Sequence, residues 1–298
     1  MTIYSYLQGG LGNQMFQYAI ARALAKHYQT DFALNQSWFN QSLEGDTLRD
    51  LQIGLLNIRE AHVTSTPFPP KPSKITRFFQ KFLPPNPIII YQKNAFDYDP
   101  TLFKLRLAHK RDIYLSGYWQ AYPYIESIKE QLKAEFKSKS PLSNHYQQYL
   151  HLIQSHESVM LHIRRGDYVH SPAASKFHGT LPITYYQSAI KEVQSLNPQA
   201  HFFIFSDDLE WAKNALEGIS EKTFIEHDQS TDAVVQELQL MFACKQHIIA
   251  NSTLSWWGAW LKEYERGMVY APAHWINSQN LNPSLLLPNE WKQIAASR

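Results

Sequence analysis

Residues 158–168 read SVMLHIRRGDY, and the rest of the chain is interpreted around them. The apolar run at 158–161 is compatible with a β-strand, and Gly166 allows the backbone to turn sharply at the carboxyl end of that strand. In an open α/β sheet, a parallel strand presents its ligand-contacting residues at this end. The planar guanidinium groups of Arg164 and Arg165 can each donate two parallel hydrogen bonds to a phosphate. The pattern predicts an anion site; the alternative is a surface ion pair between one arginine and Asp167.

The remainder of the second half alternates between two kinds of segment. Apolar runs recur at 201–205, 223–226, 247–250 and 268–271. Segments with helical periodicity, such as 185–196 and 233–244, separate most of these runs. Alternation of this kind is typical of a parallel, doubly wound sheet.

Two further polar clusters follow predicted strands, as the arginines do. The first is Ser206, Asp207 and Asp208; the second is the run NSTLS at 251–255. Because parallel strands end at one edge of a sheet, we expect the three clusters to share that edge. The second cluster opens a helix, so its hydroxyls and free N–H groups suit an anion. The first offers acceptors for a purine edge or ribose, with Mg²⁺ held by the two aspartates as the alternative.

The first half begins with a strand at 3–7, a glycine-rich loop and a helix for which Asn13 is the predicted N-cap. Three glycines allow a diphosphate or sugar to approach the backbone, although a purely structural tight turn explains them equally well. From 31 to about 100 we expect extended, irregular chain, and a turn at 97–99 rather than a metal motif. A strand within 112–120 ends in aromatic residues, for which core packing is favoured over stacking on a sugar.

Composition excludes several classes of protein. The 298 residues carry a net charge of +2, without the strong basic excess of a general nucleic-acid binder. A single cysteine, Cys244, rules out an internal disulfide and fits the cytosol. No window reaches the length of a transmembrane segment, so we expect a soluble, cytoplasmic protein. The basic and aromatic segment 74–82 could touch the inner face of a membrane, but a helix packed on its own domain is favoured.

Four stretches of the sequence, in this order, resemble the motifs of the α-1,2-fucosyltransferases of glycosyltransferase family 11. They are GGLGNQMFQY at 9–18, HIRRGDY at 162–168, FSDD at 205–208 and NSTLSWWGAWL at 251–261. The resemblance implies an α/β fold of the GT-B type, with two Rossmann-like domains facing a central cleft. We expect an acceptor-side domain at 1–145 and a GDP-fucose-binding domain at 146–298. Animal members carry a membrane anchor that this sequence lacks, which indicates a bacterial member.

The same resemblance implies an inverting transfer of L-fucose from GDP-β-L-fucose to the 2-hydroxyl of a terminal β-galactoside, without a required metal or other cofactor. The acceptor could be lipid-linked, and no nucleic acid is expected as a partner. The alternatives are a GT-B transferase with another donor sugar or linkage, and a non-catalytic nucleotide- or sugar-binding protein.

The implied site residues follow the four motifs. Arg164 is expected to stabilise the leaving phosphate. Asp167 is the candidate base, although neighbouring arginines would lower its pKa and favour a role as an arginine clamp. Asn13 is the third candidate catalytic residue. The donor-binding candidates are Gly10, Gly12, Gln14, His162, Arg165, Ser206, Asp207, Asp208, Asn251, Ser252, Thr253 and Ser255; for His162, a satisfied core position is an equal alternative.

Overall fold

The structure is a computed structural model, and it describes residues 1–40, 49–59, 62–69, 87–105, 111–166, 179–277 and 281–296. Contacts between residues divide the chain into two compact units. The N-terminal unit comprises Met1–Gly54, Ile58–Glu135 and Asn282–Leu286. The C-terminal unit comprises Leu55–Asn57, Phe136–Leu281 and Leu287–Arg298.

The N-terminal unit is built on a five-stranded parallel sheet in the order β3-β2-β1-β5-β4. Its strands are β1 (Thr2–Tyr6), β2 (Asp31–Asn35), β3 (His62–Thr64), β4 (Ile88–Tyr91) and β5 (Ile113–Ser116), and its helices are α1 (Leu11–Tyr28) and α2 (Lys129–Glu135). Short 3₁₀ helices lie at Ser37–Asn40, Ile53–Leu55, Pro100–Lys104, Tyr122–Tyr124 and Glu126–Ile128. Because α1 is buried on most of its circumference, it forms the centre of this unit's core.

Two predictions about this unit are wrong. Irregular chain was expected from 31 to about 100, but β2, β3 and β4 all lie in the sheet. Their short sequences carry little periodicity, and pairing with neighbouring strands stabilises them instead. The helix α1 starts at Leu11 with Gly10 as its N-cap, so Asn13 lies inside the first turn. Gly9 has a φ of +75°, and this left-handed turn lets the helix begin earlier than the asparagine suggested.

The C-terminal unit carries a six-stranded parallel sheet in the order β11-β10-β9-β6-β7-β8. Its strands are β6 (Glu157–Ile163), β7 (Ala200–Ser206), β8 (Lys222–Phe224), β9 (Gln246–Ile248), β10 (Val269–Pro272) and β11 (Lys292–Ile294). Its helices are α3 (Asn144–Ser155), α4 (Ile183–Leu196), α5 (Leu209–Ala215), α6 (Ala233–Ala243) and α7 (Thr253–Trp260). The predicted parallel sheet is confirmed, apart from β11, which the sequence did not indicate.

The burial of β6 explains why it reads as a continuous apolar run. Residues 158–163 are all buried, as expected for a strand covered on both faces. Val159, Leu161 and Ile163 share one face and join a core cluster with the buried side of α4. Each unit is built on a parallel α/β sheet, so the two Rossmann-like domains of the predicted fold class are confirmed.

Three other predictions concern membrane-spanning helices, the segment 74–82 and the turn at 97–99. Among the described helices, none combines the length and the apolar character needed to cross a membrane. The segment 74–82, for which membrane contact was considered, lies outside the described residues. Asp99 caps the 3₁₀ helix at Pro100–Lys104 by accepting from the backbone N–H of Thr101. The turn itself lies at residues 95–96, just before the predicted position at 97–99.

Candidate active site

The arginine motif lies where two neighbouring strands of the C-terminal sheet end. Ile163, the last residue of β6, is in register with Ser206, the last residue of β7. Arg164 and Asp207 are therefore the first residues beyond the sheet on adjacent strands. The structure thus brings two of the three predicted polar clusters directly together.

Asp207 is held by three groups. Nη1 of Arg164 lies 2.9 Å from Oδ2 of Asp207, and each side chain is 24% exposed. The backbone N–H of Arg165 donates to Oδ1 at 2.8 Å, and that of Gly166 donates to Oδ2 at 3.0 Å. These charge-assisted bonds fix the loop and neutralise the carboxylate.

Gly166 is required by close packing in this loop. A Cβ atom at this position would lie 2.7 Å from Oδ2 of Asp207. Any side chain would therefore displace the carboxylate or break its bonds to the loop amides. Gly166, from which the turn was predicted, also leaves the space that the Asp207 carboxylate occupies.

Arg165 takes a separate set of partners. Its guanidinium carbon lies 4.0 Å from the ring centroid of Trp211, and its Nε lies 3.5 Å from Oδ2 of Asp208. Asp208 also accepts from the backbone N–H of Trp211 at 3.1 Å as the N-cap of α5. The hydroxyl of Ser206 accepts from the backbone N–H of Asp208 at 3.0 Å. Sequence reasoning missed Trp211, although a tryptophan three residues after an N-capping aspartate is placed to cover the loop.

His162 is buried within β6, next to these charges. Burial lowers the pKa of its imidazole to about 4; Asp207 raises that pKa and Arg164 lowers it. The ring is therefore neutral at pH 7. Its Nδ1 has no hydrogen-bond partner among the described residues.

The start of α7 supplies the third cluster. Ser252 is the N-cap residue, and Ser252 and Thr253 are half-buried. Asn251 is buried and donates to the carbonyls of Gly179 at 3.1 Å and Trp275 at 3.3 Å. The buried hydroxyl of Ser255 donates to the carbonyls of Ala250 at 3.2 Å and Ser252 at 3.1 Å. Asn251 and Ser255 thus hold the backbone, and these contacts do not support the predicted contact of Ser255 with a diphosphate.

The remaining candidates lie in the N-terminal unit. Gln14 is fully buried; it donates to the carbonyls of Gly9 at 2.9 Å and Asp50 at 2.8 Å. Its Oε1 accepts from the backbone N–H groups of Gln52 and Ile53, both at 2.9 Å. All the hydrogen-bonding positions of this amide are filled, so Gln14 joins the glycine loop to residues 50–53.

Gly10 and Gly12 lie at the start of α1, and Oδ1 of Asn13 accepts from Nε2 of Gln120 at 3.0 Å. Gln17, which was not among the predicted site residues, accepts from the backbone N–H of Gln8 at 2.9 Å and also stabilises the glycine-rich loop. A buried glutamine on the inner face of a glycine-initiated helix is the signal that could have identified it.

Asp167, the candidate base, lies outside the described residues. Across the described ranges, no group of three or more histidine, cysteine, aspartate or glutamate side chains is placed to hold a metal ion. Asp207 and Asp208, the two carboxylates of the Mg²⁺ alternative, each bind an arginine and at least one backbone N–H group.

Known proteins resemble the chain over nearly its whole length. The model of Glycosyl transferase family 11 matches residues 2–295. The O-antigen biosynthesis glycosyltransferase WbnK of Escherichia coli is 33% identical, over 97% of this chain and 99% of the relative. An alpha-1,2-colitosyltransferase of Escherichia coli is also 33% identical, over 98% of each protein. Among solved structures, fucosyltransferase NodZ from Bradyrhizobium aligns with a TM-score of 0.48 at 11% identity, over 86% of this chain and 91% of that one. The chain therefore belongs to glycosyl transferase family 11.

Proposed function

We propose that this family 11 member transfers L-fucose from GDP-β-L-fucose to the 2-hydroxyl of a terminal β-galactoside, with inversion at the anomeric carbon. The observation that carries the proposal is the paired arginine cluster at the carboxyl edge of the C-terminal sheet. Arg164 is bound to Asp207 and Arg165 is packed on Trp211, so both cations are held in place before a ligand arrives. Fixed cations at a sheet edge suit a nucleoside diphosphate.

The proposed reaction is a single displacement. The 2-hydroxyl oxygen of galactose forms a bond to C1 of fucose while the bond from C1 to the β-phosphate oxygen breaks, and GDP leaves with the electron pair. Negative charge grows on the phosphate during this step, so a guanidinium near it stabilises the transition state more than the ground state. Arg164 is assigned this role, and Arg165 assists.

The hydroxyl proton goes to Asp167 or to solvent. Ser252 and Thr253, at the start of α7, are assigned to the diphosphate. The scheme includes no metal: the N–H groups of the two arginines donate hydrogen bonds to the phosphate oxygens. We place the reaction in the cytoplasm, with a free or lipid-linked galactoside as acceptor.

A colitose nucleotide is the second candidate donor. The observation that favours it is the 33% identity to an alpha-1,2-colitosyltransferase over 98% of this chain. Colitose is L-fucose without the 3-hydroxyl, so the two donors share the sugar configuration that an α-1,2 linkage needs. A site that hydrogen-bonds the 3-hydroxyl would reject colitose by about 10⁴-fold, whereas an apolar pocket would discriminate by about 10²-fold or less.

The test measures GDP release from GDP-fucose by the purified protein, against a panel of terminal β-galactosides, with and without EDTA. We expect release that depends on a galactoside and is unchanged by EDTA, and NMR of the product should give an α-1,2 linkage. Parallel reactions with GDP-colitose and UDP-galactose rank the donors. A chain that binds no GDP, or one that uses only a UDP-sugar, would refute the proposal.

A further inference from the structure

The carboxyl edges of the two sheets differ in chemistry. In the N-terminal sheet, the two residues after each strand are Leu7-Gln8, Gln36-Ser37, Ser65-Thr66, Gln92-Lys93 and Gly117-Tyr118, of which only Lys93 is charged. In the C-terminal sheet, the corresponding residues after β6 and β7 are two arginines and two aspartates. A charged edge suits the nucleotide, whereas amides, hydroxyls and an aromatic ring suit a neutral, polyhydroxylated ligand.

The turn after β5 is held by the side chain of Gln92. Oε1 of Gln92 accepts from the backbone N–H groups of Tyr118 at 3.0 Å and Trp119 at 2.7 Å. Its Nε2 donates to the carbonyls of Ala95 at 3.2 Å and Asp97 at 3.1 Å. One side chain thus fixes the turn from β5 against the loop that follows β4.

The backbone of this turn is strained. Trp119 has a φ of +57°, a left-handed conformation that a bulky side chain rarely adopts. A Cβ at Gly117 would lie 2.5 Å from Cβ of Gln92, so only glycine fits next to the Gln92 side chain. Such conformations persist only where surrounding contacts enforce them, and they concentrate at ligand sites.

The strained turn places two adjacent aromatic side chains in different surroundings, one buried and one exposed. The Trp119 side chain is buried and packs edge-on against Tyr124, with ring centroids 5.9 Å apart. Tyr118 is 38% exposed. Gln120, the next residue in the turn, donates to Asn13 at the start of α1. An exposed aromatic residue is thereby fixed beside the glycine loop, on a backbone that cannot easily rotate.

We propose that Tyr118 stacks on a sugar ring of the acceptor galactoside and helps to select it, with Gln92 as the residue that positions it. This inference rests on the proposed function and assigns the acceptor to the neutral edge of the N-terminal sheet. The apolar face of a galactose ring packs on an aromatic ring, and the phenol hydroxyl lies at the edge of that contact.

The test compares Tyr118→Ala, Tyr118→Phe and Tyr264→Ala. Tyr264 is the matched control, since it is a 49% exposed tyrosine in the C-terminal unit. In Tyr118→Ala we expect the KM for lactose or N-acetyllactosamine to rise about tenfold, which corresponds to the loss of one aromatic contact. The KM for GDP-fucose and the slow hydrolysis of GDP-fucose without acceptor should stay at wild-type values. Tyr118→Phe keeps the ring and should retain most of the acceptor affinity.

Each other outcome has a definite meaning. An unchanged acceptor KM in Tyr118→Ala would overturn the inference, and so would an equal loss of donor hydrolysis or a change confined to the KM for GDP-fucose. A tenfold rise in Tyr118→Phe as well would overturn the stacking role. If the wild-type protein transfers to no galactoside, the proposed function fails, and the acceptor assignment fails with it, before any variant is compared. Saturation-transfer NMR with lactose, in the absence of donor, should report lost ring contacts in Tyr118→Ala alone.

Discussion

At the scale of single residues, the site depends on opposite charges that are held before any substrate binds. Arg164 and Asp207 extend from neighbouring strands and meet at 2.9 Å, with two backbone amides on the same carboxylate. A guanidinium positioned in this way does not have to reorganise when charge develops on a leaving phosphate. The benefit should therefore appear in turnover.

Replacing Arg164 by alanine should lower kcat by about 10²–10³-fold or more, because a transition-state donor is lost. Arg164→Lys should recover only part of this loss, since a single ammonium lacks the planar fork. Steady-state GDP release with saturating donor and acceptor measures the effect, and the exposed Arg266→Ala serves as the control. A kcat near the wild-type value in Arg164→Ala would remove the phosphate role.

The buried His162 predicts a pH dependence of stability. Burial lowers its pKa to about 4 in the folded protein, below its ordinary value of 6.5. The unfolded chain therefore gains a proton between pH 6.5 and 4 that the folded protein does not take up, so stability falls as the pH falls through this window. His247, whose pKa burial lowers to about 3, acts in the same direction.

Between pH 7 and pH 5, His162→Gln should lose about 1–2 kcal/mol less unfolding free energy than the wild type does. Urea unfolding at the two pH values gives this difference, with the exposed His151→Gln as the control. An identical loss in His162→Gln and wild type would contradict the assignment of a neutral, buried imidazole.

The sequence identified which residues form the arginine cluster, but it did not identify their partners. Asp207 was expected to meet guanine or ribose and Asp167 to clamp an arginine, whereas Asp207 holds Arg164 and two loop amides. The pairing depends on β6 and β7 being neighbours in exact register, which is a long-range property. The roles of Gln14 and Gln92 could not be predicted for the same reason, because the side-chain amide of each binds a segment that is distant in sequence.

At the scale of secondary-structure elements, Asp208 combines two functions that substitution can separate. It caps α5 through the amide of Trp211 and forms an ion pair with Arg165 at 3.5 Å. Asparagine is as good an N-cap as aspartate, whereas alanine cannot accept the bond. Partly exposed ion pairs contribute little to stability, so the cap should dominate.

Asp208→Ala should lower the unfolding free energy by about 1 kcal/mol, while Asp208→Asn should stay within about 0.5 kcal/mol of the wild type. Urea unfolding provides the measurement, and GDP titration of both variants reports separately on the predicted nucleotide contact. Equal destabilisation by asparagine and alanine would show that the ion pair, and not the cap, carries the stability.

Prediction of the elements succeeded where the strands are buried on both faces. The strands β6, β7 and β10 consist mainly of apolar residues, which is what a covered parallel strand requires. In contrast, β3 is the exposed three-residue segment HVT, and β11 is KQI. Such segments become strands through pairing with a neighbour, and their side chains carry no readable pattern.

At the scale of the whole molecule, the single cysteine offers a specific probe of unfolding. Cys244 is fully buried directly after α6, and burial raises the pKa of its thiol. A thiol that is both inaccessible and protonated does not react with disulfide reagents. Its labelling should therefore require the C-terminal unit to open.

The native protein should react slowly with a disulfide reagent, and unfolding in urea should release one thiol per chain. GDP at about 100 times its Kd should slow the native labelling about 100-fold, because binding lowers the population of the open form. A time course of thiol release with and without GDP measures this effect. Rapid labelling of the native protein, unaffected by GDP, would contradict a closed core around Cys244.

The way in which the chain crosses between its two units also determines when each can be completed during synthesis. The N-terminal unit needs Asn282–Leu286, where the carbonyl of Leu285 accepts from the amide of Tyr122 at 2.9 Å. Ribosomes add about 5–20 residues per second, so roughly 150 further residues, or about 8–30 s, separate Glu135 from this last segment. The unit whose strands emerge first must therefore wait, incomplete, until almost all of the other unit has been made.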